Sequence, residues 1–121
     1  MKNIKQIGIP VKDVDRAIHF YKDLLGLSLL FNTDSMAFFN CNGIRLMLSL
    51  PEKREFAQAS SVIYFEVDDI QESYADLTEK GIPFIDEPHR ITKMENTETW
   101  MVFFKDSEDN THALTSETIT H

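Results

Sequence analysis

Hydrophobic and polar positions alternate along this chain in two periods that change over at regular intervals. Ile7, Ile9 and Val11 alternate with Gln6, Gly8 and Pro10, so Ile4 to Pro10 reads as a strand with one apolar face. Val14, Ala17, Ile18, Tyr21, Leu24 and Leu25 then recur at helical spacing. Asp13 stands where a helix N-cap is expected, Asp15 adds negative charge to the first turn, and Gly26 supplies the left-handed stop. Leu27 to Asn32 and Met36 to Cys41 read as strands around a Thr33-Asp34-Ser35 turn. Asn42-Gly43 is a hairpin signal, because both residues tolerate positive φ. In the strand Ile44 to Leu50, Ile44, Leu46, Leu48 and Leu50 face one way and Arg45, Met47 and Ser49 the other. The leucine row is the one expected under the helix. These elements make a βαβββ module over about residues 1–50.

Residues 51–60 (PEKREFAQAS) are polar and charged, and read as a linker. The pattern then restarts over about residues 61–118. Ser61 to Asp68 is a strand in which Ile63, Phe65 and Val67 oppose Val62, Tyr64 and Glu66. Asp69 to Lys80 is a helix with Ile70, Tyr74 and Leu77 on its apolar face, closed by Gly81. Ile82 to Arg90 contains an extended stretch interrupted by Pro83 and Pro88, as expected of an edge or bulged strand. Thr97 to Lys105 is a strand around Trp100, Val102 and Phe104, and Thr111 to Ser116 is the last strand. Val11-x-Asp13-Val14 recurs as Val67-x-Asp69-Ile70, which marks an internal duplication. The fold class expected is α+β: two βαβββ modules forming curved mixed sheets, helices outside, with a concave cavity.

Composition narrows the function. A single domain of 121 residues is long enough to bury roughly two-thirds of its unfolded surface. A net charge of −8 argues against nucleic acid and anionic membrane surfaces as partners. No apolar run approaches a membrane span, and the N-terminus carries no signal-peptide pattern. The one cysteine, Cys41, excludes an internal disulfide and a thiolate metal cluster. A cytoplasmic location fits. With four glycines there is no phosphate loop or dinucleotide fingerprint.

Four motifs carry a family likeness. Val11 to Tyr21 (VKDVDRAIHFY) resembles the V-x-D-x-x-R-A-x-x-F-Y opening of the vicinal oxygen chelate superfamily, which includes glyoxalase I, extradiol dioxygenases, methylmalonyl-CoA epimerase and bleomycin-binding resistance proteins. Asp23 to Leu27 is similar to its D-x-L-G-L helix end, Val67 to Ile70 to the start of its second helix, and Asp106 to Asn110 to its turn before the last strand. The resemblance covers essentially the whole chain and implies the glyoxalase-like fold.

The resemblance also supplies a site. Metal-dependent members ligate a divalent ion from four strand positions, usually His or Gln, Glu, His and Glu. Carried over one by one, these fall on Gln6, Met47, Val62 and Ala113. Three of the four lack a donor, and a divalent cation needs several oxygen or nitrogen ligands. No metal or other cofactor is therefore expected. The concave face reads as apolar with sparse polar points: Gln6, Arg45, Met47, Ser49, Val62, Tyr64, Ala113 and Thr115. That is the usual make-up of a small-molecule pocket, and also of a filled core. Trp100 is a further candidate for ligand contact, more often core than stacking platform. His89, in the segment Glu87-Pro88-His89-Arg90, is a candidate general base, with Gln6 and Tyr64 as further acid–base candidates. The bland alternative for His89 is an exposed loop histidine. His112 shares the parity of Leu114 and should face the helix layer; His19 lies on the helix surface and His121 at the terminus.

The function these features imply is a glyoxalase/bleomycin-resistance-type protein binding a small, largely apolar or aromatic organic molecule without the family's usual metal. Catalysis is left open. The alternatives are a lyase, isomerase or dioxygenase with an atypical site, and a non-catalytic sequestration or resistance protein. A homodimer is expected from the resemblance, with exposed aromatic strands as its apolar edge.

Overall fold

A computed structural model of the chain describes residues 1–54, 57–58 and 61–119. Part of the 51–60 linker and His121 lie outside the described residues. The chain is α+β and divides into two compact units, Met1–Ser60 and Ser61–His121.

The first unit runs β1 (Gln6–Pro10), α1 (Val14–Ile18) continuing as a π-helical segment (His19–Leu24), β2 (Ser28–Asn32), β3 (Met36–Cys41) and β4 (Ile44–Ser49). Its sheet has the order β1-β4-β3-β2, parallel between β1 and β4 and antiparallel elsewhere. The Asp13 carboxylate accepts from Arg16 N at 3.0 Å, as its N-cap position requires. Gly26 sits at φ +77, in the left-handed region that ends the helix. Asn42 (φ 49) and Gly43 (φ 96) make the β3–β4 turn. Leu46 and Leu48 are buried under α1 together with Ile9, Val11, Ala37 and Phe39, as expected of their row, whereas Ile44 is half-buried and Leu50, past the end of β4, is exposed.

The helix itself departs from its regular 3.6-residue reading. Leu25 N bonds to Phe20 O and Leu27 N to Tyr21 O, widening the second half of the helix. The wider turn lets the consecutive Phe20 and Tyr21 both bury, with Tyr21 6.0 Å from the Phe39 ring. Ile18, Leu24 and Leu25, assigned to the apolar face from periodicity, are only half-buried.

The second unit runs β5 (Ile63–Glu66), α2 (Ile70–Glu79), β6 (His89–Met94), β7 (Thr97–Lys105) and β8 (Thr111–Ile119). Its order, β5-β8-β7-β6, repeats the first sheet strand for strand, so the duplication read from sequence is also one of topology. Asp69 caps α2 by accepting from Glu72 N at 3.1 Å. The core is built from Ile70, Leu77, Ile82, Val102, Phe104 and Leu114. His112 is buried, edge-on to Phe65 and Phe104, as its parity requires.

Two strand boundaries move. The stretch Ile82 to Arg90 is not one strand: Phe84 makes an isolated bridge to Phe104, and the regular edge strand begins at His89, after Pro88. β6 is bulged between Arg90 and Thr92. The last strand runs three residues beyond Ser116, because β7 starts early enough for Thr97 to pair with Ile119. Among the described residues no helix is long and apolar enough to cross a membrane.

Candidate functional site

In each unit the helix covers one face of the sheet, and the candidate residues fall mostly on the other. In the first unit that face carries Gln6, Gly8 and Pro10 from β1, Arg45, Met47 and Ser49 from β4, and Met36, Phe38 and Asn40 from β3, because paired residues share a face. Parallel pairing sets Gln6 directly beside Arg45 and Gly8 beside Met47. Arg45 Nε donates to Gln6 Oε1 at 2.6 Å, and Gln6 Nε2 donates to Met47 Sδ at 3.6 Å. The Arg45 guanidinium carbon lies 5.6 Å from the centre of the Phe38 ring, and Phe38 stacks on Phe31 at 4.5 Å. Phe31 is 55% exposed. Ser49 is half-buried, and its carbonyl accepts from Val11 N at 2.9 Å.

In the second unit the corresponding face carries Tyr64 and Glu66, Ala113 and Thr115, and Met101 and Phe103. Tyr64 pairs with Ala113, which pairs in turn with Phe103, and the two aromatic rings meet edge-on at 6.2 Å. Val62 lies just before β5 and is exposed, whereas Ala113 is buried. His89 pairs with Met101 and so joins this face, its ring 6.5 Å from Phe103. His89 Nδ1 is 2.8 Å from the Glu87 carbonyl oxygen and 3.7 Å from Asp86 Oδ2. A carbonyl only accepts, so Nδ1 carries the proton, and the lone pair of the neutral ring sits on Nε2. Asp86 is fixed in turn, its Oδ1 accepting from Phe103 N at 2.9 Å.

Trp100 is not brought together with these residues. It pairs with Arg90 and Ser116, on the opposite face from Tyr64, Ala113 and His89. There it lines a groove of about 340 Å³ beside the start of α2, with Asp69, Glu98 and Ser116. The row Trp100, Val102, Phe104 already placed it with the helix-facing side chains. His19 is exposed and paired with Asp23, away from either face.

The four positions that the family likeness assigns to a metal therefore hold one oxygen donor, Gln6 Oε1. Its partner is a guanidinium. Met47 offers a thioether, Val62 and Ala113 offer nothing, and among the described residues no group of three or more His, Cys, Asp or Glu side chains converges on a point. This donor set does not fit a divalent cation. The Gln6–Arg45 bond escaped the sequence reading, which did not pair β1 with β4; its signal was the two polar residues at matching positions of those strands.

Two open mixed sheets of identical strand order, each with a helix on one face, are the architecture of a glyoxalase-like protein. The family model described as the Glyoxalase/Bleomycin resistance protein/Dioxygenase superfamily matches residues 3–114, and the chain belongs to that superfamily. It is 33% identical over 98 residues to the uncharacterized protein YraH of Bacillus subtilis (strain 168), covering 69% of this chain and 77% of that one. It is 37% identical over 49 residues to the metallothiol transferase FosB of Staphylococcus haemolyticus, but covers only 35% of that protein's length. The fold is shared with the lactoylglutathione lyase of Agrobacterium tumefaciens (TM-score 0.79, 22% identity, 96% of this chain and 94% of that one). It is shared equally with a superfamily member from Sphaerobacter thermophilus DSM 20745 (TM-score 0.81, 22% identity, 96% and 98%).

Proposed function

We propose that this chain binds a small, largely apolar or aromatic organic molecule on its helix-free sheet faces, without the divalent metal usual in the superfamily. One observation carries the reading: the single donor left at the four metal positions, Gln6 Oε1, is held by Arg45 at 2.6 Å. The surroundings agree with it. Phe31, Phe38 and Met47 in the first unit, and Tyr64, Phe103 and Met101 in the second, give apolar surface with a few polar points. Ser49 joins that face in the first unit, and in the second the buried Ala113 pairs between Tyr64 and Phe103. We place the protein in the cytoplasm as a homodimer, with the exposed Leu30 of edge strand β2 as part of the apolar contact. The test is a screen of aromatic and aliphatic compounds by thermal shift, in the presence of a chelator. Stabilisation undiminished by the chelator is the expected result; stabilisation that appears only with added metal contradicts the reading.

A second reading, a catalyst of the lyase or isomerase kind, is favoured by one observation. His89 is oriented by the Glu87 carbonyl, and its Nε2 meets no partner among the described residues. A base held in that way is suited to proton abstraction from a bound ligand. On a compound found in the screen to be turned over, His89→Asn keeps a donor near Nδ1 and removes the base. Loss of turnover with binding retained supports this reading, and unchanged turnover sinks it. Binding without any turnover favours a sequestration or resistance role.

A further inference from the structure

The strands of the first unit read QIGIP, SLLFN, MAFFNC and IRLMLS, and Arg45 is the only charged residue among them. In a chain of net charge −8, one cation on a face without a carboxylate needs an explanation. Its side chain is half-buried and held at two points. Nε is spent on Gln6 Oε1, and the guanidinium carbon lies over the Phe38 ring, 5.6 Å from its centre. The two terminal nitrogens, Nη1 and Nη2, have no protein partner among the described residues. A guanidinium steadied through Nε, with its terminal edge open, is set to take an oxyanion through two parallel N–H bonds. Beside it lies an aromatic surface, the Phe31–Phe38 stack, whose outer ring is 55% exposed.

We propose that Arg45 anchors an anionic aromatic ligand, its terminal N–H groups holding the carboxylate while Phe38 and Phe31 receive the ring. The proposal rests on the small-molecule reading above and narrows it to a substrate class. It also gives Gln6 a purpose other than coordination: its oxygen orients the arginine, and its nitrogen is satisfied by Met47. Arg45 thus supplies positive charge beside the position where metal-dependent relatives place an ion, but as a fixed hydrogen-bonding fork that selects the planar geometry of a carboxylate.

The test compares 2-naphthoate with its neutral isostere 2-naphthamide by titration calorimetry on the full-length protein. A charge-assisted bidentate contact predicts that wild type binds the carboxylate roughly 10- to 100-fold more tightly. Arg45→Met should abolish that preference, bringing the two compounds within about threefold of each other, and Arg45→Lys should restore part of it. Circular dichroism melting of both variants shows whether the fold is retained, and the wild-type comparison needs no variant. Equal affinity for both compounds in wild type overturns the anionic assignment and leaves the small-molecule reading standing. A preference that survives in Arg45→Met assigns the anion to another cation and overturns the role of Arg45. Failure of both compounds to bind counts against both readings.

Discussion

Removing the Asp106 carboxylate should cost the second unit a large part of its stability. Asp106 is 5% exposed and lies in the turn between β7 and β8. Its Oδ1 accepts from Glu108 N and Asn110 N, each at 2.8 Å, and its Oδ2 accepts from Asn110 Nδ2 at 2.9 Å. His112 Nε2 lies 3.6 Å from the same Oδ2. Asp106→Ala leaves two buried backbone N–H groups without this acceptor, at roughly 1–3 kcal/mol each. Loss of a buried charge that was costly to desolvate offsets part of this, and water entering the turn offsets more. The net expectation is about 2–4 kcal/mol, lowering Tm by roughly 8–15 °C for a chain of this size. Asp106→Asn keeps an acceptor for both backbone groups and disturbs the Oδ2 contacts with Asn110 Nδ2 and His112 Nε2, so about half the loss is expected. The assay is urea unfolding followed by fluorescence of the single tryptophan, Trp100, which lies on β7 of the same unit. A change below about 0.5 kcal/mol for Asp106→Ala would refute the claim that this carboxylate holds the turn.

Other outcomes follow from single contacts. Ser116 is 1% exposed and its hydroxyl has no hydrogen-bond partner among the described residues, so Ser116→Ala should be neutral or stabilising by up to about 1 kcal/mol in the same unfolding assay. Asp69→Ala removes the cap of α2 and should destabilise by about 1 kcal/mol, with Asp69→Ser recovering most of it. His89→Ala should cost about 1 kcal/mol through loss of the Nδ1 bond to Glu87, whereas His89→Asn, which keeps a donor there, should stay within about 0.5 kcal/mol of wild type.

Much of the fold was legible because it rests on local rules that tertiary packing reinforces. The leucine row of β4, the aspartate caps at Asp13 and Asp69 and the Asn42-Gly43 turn all act within a few residues of chain. The repeated Val-x-Asp segment foretold that the two sheets would share one strand order. What escaped depends on partners distant in sequence. The π-helical turn exists because Phe20 and Tyr21 both find room against the sheet, which periodicity alone does not reveal. The start of β6 is set by its pairing with β7, not by its own composition. At the site, alternation correctly grouped Arg45, Met47 and Ser49, but the Gln6–Arg45 bond needed the parallel register of β1 against β4. Trp100, offered as a ligand contact but more often core, shares its parity with Val102 and Phe104 and so lies on the helix side, beside the start of α2.

The measurement closest to the central claim is metal stoichiometry at the Gln6 position. Protein purified without chelator, then equilibrated with Ni, Zn, Mn or Fe(II) and desalted, is analysed by elemental mass spectrometry beside Gln6→Ala. With Gln6 Oε1 engaged by Arg45, and with Met47, Val62 and Ala113 at the remaining positions, well under one ion per chain is expected, the same in both proteins. One tightly held ion per chain that is lost in Gln6→Ala would contradict the account.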